Sequence, residues 1–272
     1  MLRLSAILAA ALIALSTVTA ASAREYSFQD GESLKYSVHY KWGMIDADVA
    51  NAALTLTHEE LDGVPVFHAS LGGKTQKMYK KLFTVVETVD SWFARKDLRQ
   101  IKCERHSREG SYWLNSTTFY RNGSEGLTAE AEIETSRKGR FERKAAIDSS
   151  TFDVAAMLFR MRNIDIAGLE VGKAMPLRFI MDGKVYNLHY TYLGREVRKV
   201  GEFGKVKCLK VGFEVVKGET FSGDSDLYCW FSDDDNRIPV CFTAPLKIGK
   251  VKGRLTGYSG LRHDFAAKAT DK

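Results

Sequence analysis

Three features of the sequence predict a mainly β protein of curved antiparallel sheets with one principal helix at about 151–162. Apolar and polar residues alternate along many short runs, turn-forming pairs separate those runs at regular intervals, and one stretch carries a helical apolar stripe. This spacing fits successive hairpins rather than β-α-β units. Two arrangements are compatible with it: two β lobes joined near the helix, or an open half-barrel or sandwich made from one strongly curved sheet.

The first run, Ser33 to Trp42, places Leu34, Tyr36, Val38, Tyr40 and Trp42 on one face and polar residues on the other, the pattern of a half-buried strand. Gly43 permits a turn into Ala47–Thr57, and Asp62-Gly63 turns the chain into Val64–Leu71. Gln76–Leu82 suits a short helix or a loop. Strands are expected at 83–94, 98–105, 111–121, 127–135 and 141–147, separated by Lys96-Asp97, Glu109-Gly110, Asn122-Gly123 and Lys138-Gly139.

The helix is predicted from Thr151 to Arg162, with Ser150 as N-cap and Asp153 completing a capping-box variant. Its apolar residues Phe152, Ala155, Leu158, Phe159 and Met161 should pack on a sheet. After a connector with Gly168, strand patterns resume in Leu177–Met181, turn at Asp182-Gly183, and continue through the aromatic ladder Tyr186, Leu188, Tyr190 and Tyr192 and then Leu209–Val215. Tyr228 to Leu255 reads as two strands about the acidic turn Ser232–Arg237, followed by a third strand, with Pro239 at a strand start or edge. The expected organisation is a leader at 1–23, an N-terminal β-meander lobe at 24–149, helix and connector at 150–172, a C-terminal β lobe at 173–265 and a flexible tail at 266–272.

Four segments carry a family resemblance: Gly31-Glu32-Ser33-Leu34-Lys35-Tyr36 with Tyr40-Lys41-Trp42-Gly43, Thr151–Arg162, Gly201–Leu209, and Trp230-Phe231-Ser232-Asp233-Asp234-Asp235-Asn236-Arg237-Ile238-Pro239-Val240 with Lys247–Val251. Through them the chain resembles the exported bacterial proteins of domain-of-unknown-function family 3108. The resemblance implies a fold and a location, and its name assigns no activity. The Ala-Gly pair that follows the Trp-Gly segment in the family is Ala47-Asp48 here.

Arg3, an apolar run from Ala6 to Ala14 and Ala21-Ser22-Ala23 form a secretory leader, with the mature chain expected to begin at Arg24. No cysteine follows the apolar run before Cys103, so the lipid-modified cysteine of a lipoprotein is missing and no transmembrane segment is expected after cleavage. The expected location is the periplasm of a Gram-negative bacterium. Net charge is +6 over 272 residues, with acids and bases interspersed. Four cysteines allow three pairings in an oxidising compartment. Cys229 and Cys241, symmetric about Asp235, are the disulfide candidate.

Chemistry-bearing motifs are few. Asp233-Asp234-Asp235-Asn236 lacks the spacing, glycine and terminal glutamate of a calcium loop, so no metal is expected. The six histidines are scattered without an HExxH pair, and Gly72-Gly73-Lys74-Thr75 lacks the first glycine of a phosphate loop. Cys103 and His106 are three apart on a strand and so point to opposite faces. Aromatic and basic residues interleave over Lys184–Lys199, which strand alternation explains, and export leaves no nucleic-acid partner.

The sequence therefore leads to a non-enzymatic envelope protein without a cofactor. It is expected to hold an apolar or amphipathic ligand such as a lipid against Phe152, Leu158, Phe159 and Tyr190. The alternative is a structural module that binds an envelope protein partner and no small molecule.

Overall fold

The computed structural model describes residues 26–81, 83–124, 126–215, 227–246 and 248–269. Residues 1–23, expected as a leader, Leu82, Lys247 and the last three residues, all read above, lie outside them. Eight strands come first: β1 (Glu32–Trp42), β2 (Ile45–Leu61), β3 (Val64–Thr75), β4 (Val85–Ala94), β5 (Gln100–Glu109), β6 (Tyr112–Gly123), β7 (Gly126–Thr135) and β8 (Gly139–Ala146). After the short β9 (Thr151–Phe152) and helix α1 (Val154–Arg162) follow β10 (Ala174–Met181), β11 (Lys184–Lys199), β12 (Lys205–Phe213), β13 (Leu227–Ser232), β14 (Pro239–Pro245) and β15 (Lys250–Ser259).

The fifteen strands among the described residues belong to one curved sheet in the order β8-β7-β6-β5-β4-β3-β2-β1-β15-β14-β13-β12-β11-β10-β9. Every neighbouring pair is antiparallel except β9 with β10. The two meanders read from the sequence are thus successive halves of a single sheet, joined by β1 on β15, with Ser33 opposite Ser259. Among the described residues the sheet's two ends share no ladder. They meet through side chains at the β10–β11 turn: Asp182 accepts from Arg105 Nη1 at 2.6 Å and from Ser116 Oγ at 2.8 Å, and its carbonyl accepts from Arg143 at 3.0 Å. Gly183, at φ +69°, fits this seam because a Cβ there would sit 2.8 Å from the Cβ atoms of Ala131 and Arg143.

Helix α1 lies inside the curve. It begins later than the sequence suggests, and its N-cap is Asp153, not Ser150; the Asp153 carboxylate accepts from the N–H groups of Ala155 and Ala156, both at 3.0 Å. Thr151 and Phe152 are held extended by pairing with β10, so the helix cannot start at Ser150. One side of α1 is solid core, with Phe159 between Phe28 at 4.9 Å and Phe93 at 6.1 Å between ring centroids. At its C-terminal end, fully buried Arg162 forks onto the carboxylate of buried Glu32 and donates to the carbonyls of Asn236 and Ser27.

Three further expectations change. Only Leu34 and Tyr36 of the β1 apolar face are buried; Trp42 is 53% exposed, because the β1–β2 hairpin runs beyond the body of the sheet. Cys229 faces Phe242, and Cys241 faces Trp230, so the two thiols point to opposite sides of the β13–β14 ribbon and are free. The turn itself has the expected register, Phe231 opposite Pro239, but a bulge before the next pair shifts the ladder by one residue. Finally, the tail is tied down as far as Ala269: Ala267 is fully buried, its carbonyl accepts from the Lys207 N–H, and the Ala269 N–H donates to the Lys205 carbonyl, both at 2.8 Å.

The acidic turn is structural. Asp234 Oδ1 accepts from Ser232 Oγ at 2.7 Å and from the N–H groups of Asn236 and Arg237 at 3.1 Å. Buried Asn236 donates to the carbonyls of His263 and Asp264, fixing the C-terminal segment.

Candidate ligand cavity

Between α1 and the concave face of the sheet is a cavity of about 480 Å³. Leu54 and Val89 line it from the first half of the sheet, Met157 and Leu158 from α1, and Leu177 and Phe242 from the second half. The helix divides its apolar residues by angle. Val154, Met157 and Leu158 face the space, while Ala155 and Phe159, about 100° per residue further round, face β3 and β4. Phe242 owes its place to Gly253 opposite, where a Cβ would overlap the ring at 1.9 Å.

Of the four residues predicted to touch a ligand, Leu158 alone is in the wall. Phe159 is packed among Phe28 and Phe93, Phe152 is buried with the Arg160 guanidinium over its ring at 5.0 Å, and Tyr190 belongs to the core formed with Met161, Tyr192 and Phe213. An apolar stripe in a sequence marks burial of both kinds, against protein and against a void, and cannot separate them.

The wall has two polar places. At one, Asp153 accepts from Ser91 Oγ at 2.7 Å and from Gln100 Nε2, beside Cys103 and Tyr120. Burial pushes the Asp153 carboxyl up, opposing the N–H and O–H donors that favour its charge. Burial, with the negative charge of Asp153 second, drives the Cys103 thiol and the Tyr120 phenol well above their ordinary values. Cys103 therefore presents a neutral thiol rather than a thiolate. His106 is on the outer face, hydrogen bonded to Asn115 at 2.9 Å, so the two do not meet.

The second polar place is the seam. Arg105 is held by Glu87 and Asp182, both at 2.6 Å, and Ser116 Oγ donates to Asp182 at 2.8 Å. These groups can orient a polar end while the rest of the cavity accepts an apolar body. In the sequence Arg105 and Asp182 read only as strand and turn residues, because their meeting depends on curvature that brings distant strands together.

The family model described as "Protein of unknown function (DUF3108)" matches residues 35–256. The chain belongs to the DUF3108 family. Glu32 precedes the matched residues, whereas Arg162 and Asn236, its partners in the buried cluster, fall within them. This DUF3108 chain is also similar to a crystal structure titled as a beta-barrel-like protein of domain of unknown function DUF1849 from Brucella abortus, with a TM-score of 0.54 and 7% identity over 86% of this chain and 98% of that one. That likeness concerns the fold alone. No curated protein matches the chain.

Proposed function

We propose that this protein is a non-enzymatic carrier of an apolar or amphipathic ligand, such as a lipid, in the bacterial envelope. The observation that supports it is the cavity itself: about 480 Å³, within the range of small-molecule sites, walled by aliphatic and aromatic side chains, with polar groups gathered at two places. The leader at 1–23 supports export. The rival partner-binding reading gains nothing from the sheet's edge, since β8 presents Arg140, Glu142, Arg143 and Lys144, charges that discourage strand addition.

The test is to purify residues 24–272 from the envelope fraction, extract with organic solvent and identify copurifying molecules by mass spectrometry. In parallel, the delipidated protein is titrated with the fluorescent probe N-phenyl-1-naphthylamine. Saturable binding, displaced by the extracted molecule, is the expected result. A protein that carries nothing and leaves the probe's emission unchanged would refute the carrier reading.

A further inference from the structure

Among the described residues, six of the eleven exposed large hydrophobic side chains gather at one edge of the sheet: Trp42, Met44, Met78, Val85, Val86 and Ile248. They occupy adjoining connections. Met44 is fully exposed at the β1–β2 turn and Ile248 is in the β14–β15 turn, whose carbonyl accepts from Tyr40 Oη at 2.8 Å and whose Gly249 packs on Lys41 and Trp42. Beside them the β3–β4 connection carries Met78 at 74% exposure, and its Phe83 ring stands 6.1 Å from Tyr40.

The charge around this patch is one-sided. Lys74, Lys77, Lys80, Lys81 and Lys250 are exposed there, and none of them has an ion-pair partner among the described residues. Asp46 is neutralised by Lys41 at 2.8 Å; among the described residues Glu109, across the ladder from Val85, stands next to Arg108, and Glu214, beyond β12, faces His189 at 3.1 Å. Apolar tips ringed by unpaired lysines would be a solubility liability in water. They match a surface that is apolar underneath and anionic on top, where tryptophan settles at headgroup level and lysine reaches phosphates.

We infer that this edge docks the protein on an anionic membrane surface, with Trp42, Met44, Met78 and Ile248 entering the headgroup boundary. The cavity wall runs towards the same edge through Glu87, two residues inside β4, and through Glu214 and Val215 beyond β12. Docking does not require a filled cavity, so it can be tested apart from the carrier reading.

The experiment is flotation of residues 24–272 with vesicles of phosphatidylglycerol and phosphatidylethanolamine, against vesicles of phosphatidylcholine alone. Binding to the anionic vesicles is expected, weakened by salt. Lys77→Glu, Lys80→Glu and Lys81→Glu should each weaken it roughly fivefold or more, and Met44→Asp about tenfold. Lys96→Glu, at the opposite edge, should leave it unchanged. All these sites are exposed, so unfolding midpoints should stay at the wild-type value, which separates lost docking from lost structure. Equal binding to both vesicle types, no binding to either, or a Met44→Asp variant that floats like wild type overturns the proposal. So does a concentration-dependent dimer that Met44→Asp disperses, which would assign the patch to a second copy of the chain.

Discussion

Arg162 and Glu32, far apart in sequence, form a two-pronged ion pair with no solvent access, Nη2 to Oε2 at 2.8 Å, and the guanidinium lies 5.5 Å from the Phe28 ring centroid and 5.4 Å from that of Phe159. The pair fastens the end of α1 to the first strand and, through the Asn236 carbonyl, to the acidic turn. Removing one charge leaves the other buried alone. Arg162→Leu should cost about 3–5 kcal/mol in urea unfolding. Glu32→Leu added to it should recover part of that loss, with the Asn236 and Ser27 carbonyls still unpaired. A single variant within about 0.5 kcal/mol of wild type would show that the pair does not hold the fold.

Adjacent helix residues should separate binding from stability. Leu158→Trp points into the cavity and is expected to fold while losing most N-phenyl-1-naphthylamine binding. Phe159→Ala opens a hole in solid core and should cost about 3–5 kcal/mol. Thermal unfolding and probe titration of both variants check the assignment, and the reverse outcome would mean the helix is rotated.

At the seam, Gly183→Val combines a left-handed backbone with overlap on Ala131 and Arg143. It should destabilise by about 2–4 kcal/mol. Asp182→Asn, which tolerates the left-handed backbone at φ +50° but loses the charge that holds Arg105, should raise hydrogen exchange in the tip of the β10–β11 hairpin before it affects β1–β4.

Acid stability should depend on Asp148. The Ser150 hydroxyl at 2.6 Å, the Ser150 N–H, Arg178 and Thr151 hold its carboxyl down from 3.8 to about 2. A depressed folded-state value means that stability is fully present above the unfolded value and is lost as pH falls from 3.8 towards about 2. Asp148→Asn should flatten unfolding free energy against pH across that window, and an unchanged slope would contradict the assignment.

The thiols should be slow to react in the folded protein. Burial raises Cys208 to about 12 and Cys241 to about 11, and takes Cys229 and Cys103 well above the ordinary value. A thiol-reactive dye at neutral pH should label them on unfolding, at the rate of unfolding.

Most strands were legible because alternation and turn pairs are local signals, as in Asp62-Gly63 and Asp182-Gly183. What escaped depends on geometry between distant residues. The bulge beside Val240 moved Cys241 away from Cys229 by a single residue, the parallel pairing of Thr151–Phe152 delayed the helix, and the Arg162–Glu32 pair joins two charges that each look like surface in sequence. The sequence does not separate Leu158, in the cavity wall, from Phe152, Phe159 and Tyr190, packed in the core, since burial against a void and burial against protein leave one pattern.

The joining of β1 to β15 has a consequence for the order of events during synthesis. Ser33 leaves the ribosome early, yet its partner Ser259 arrives only after every other strand has been made. Until then β1 can pair with β2 alone, and its other flank stays open, a template for wrong partners. Closing so long a loop is slow, so β1, which ends at the middle of the sheet, is the strand that waits longest for its second partner.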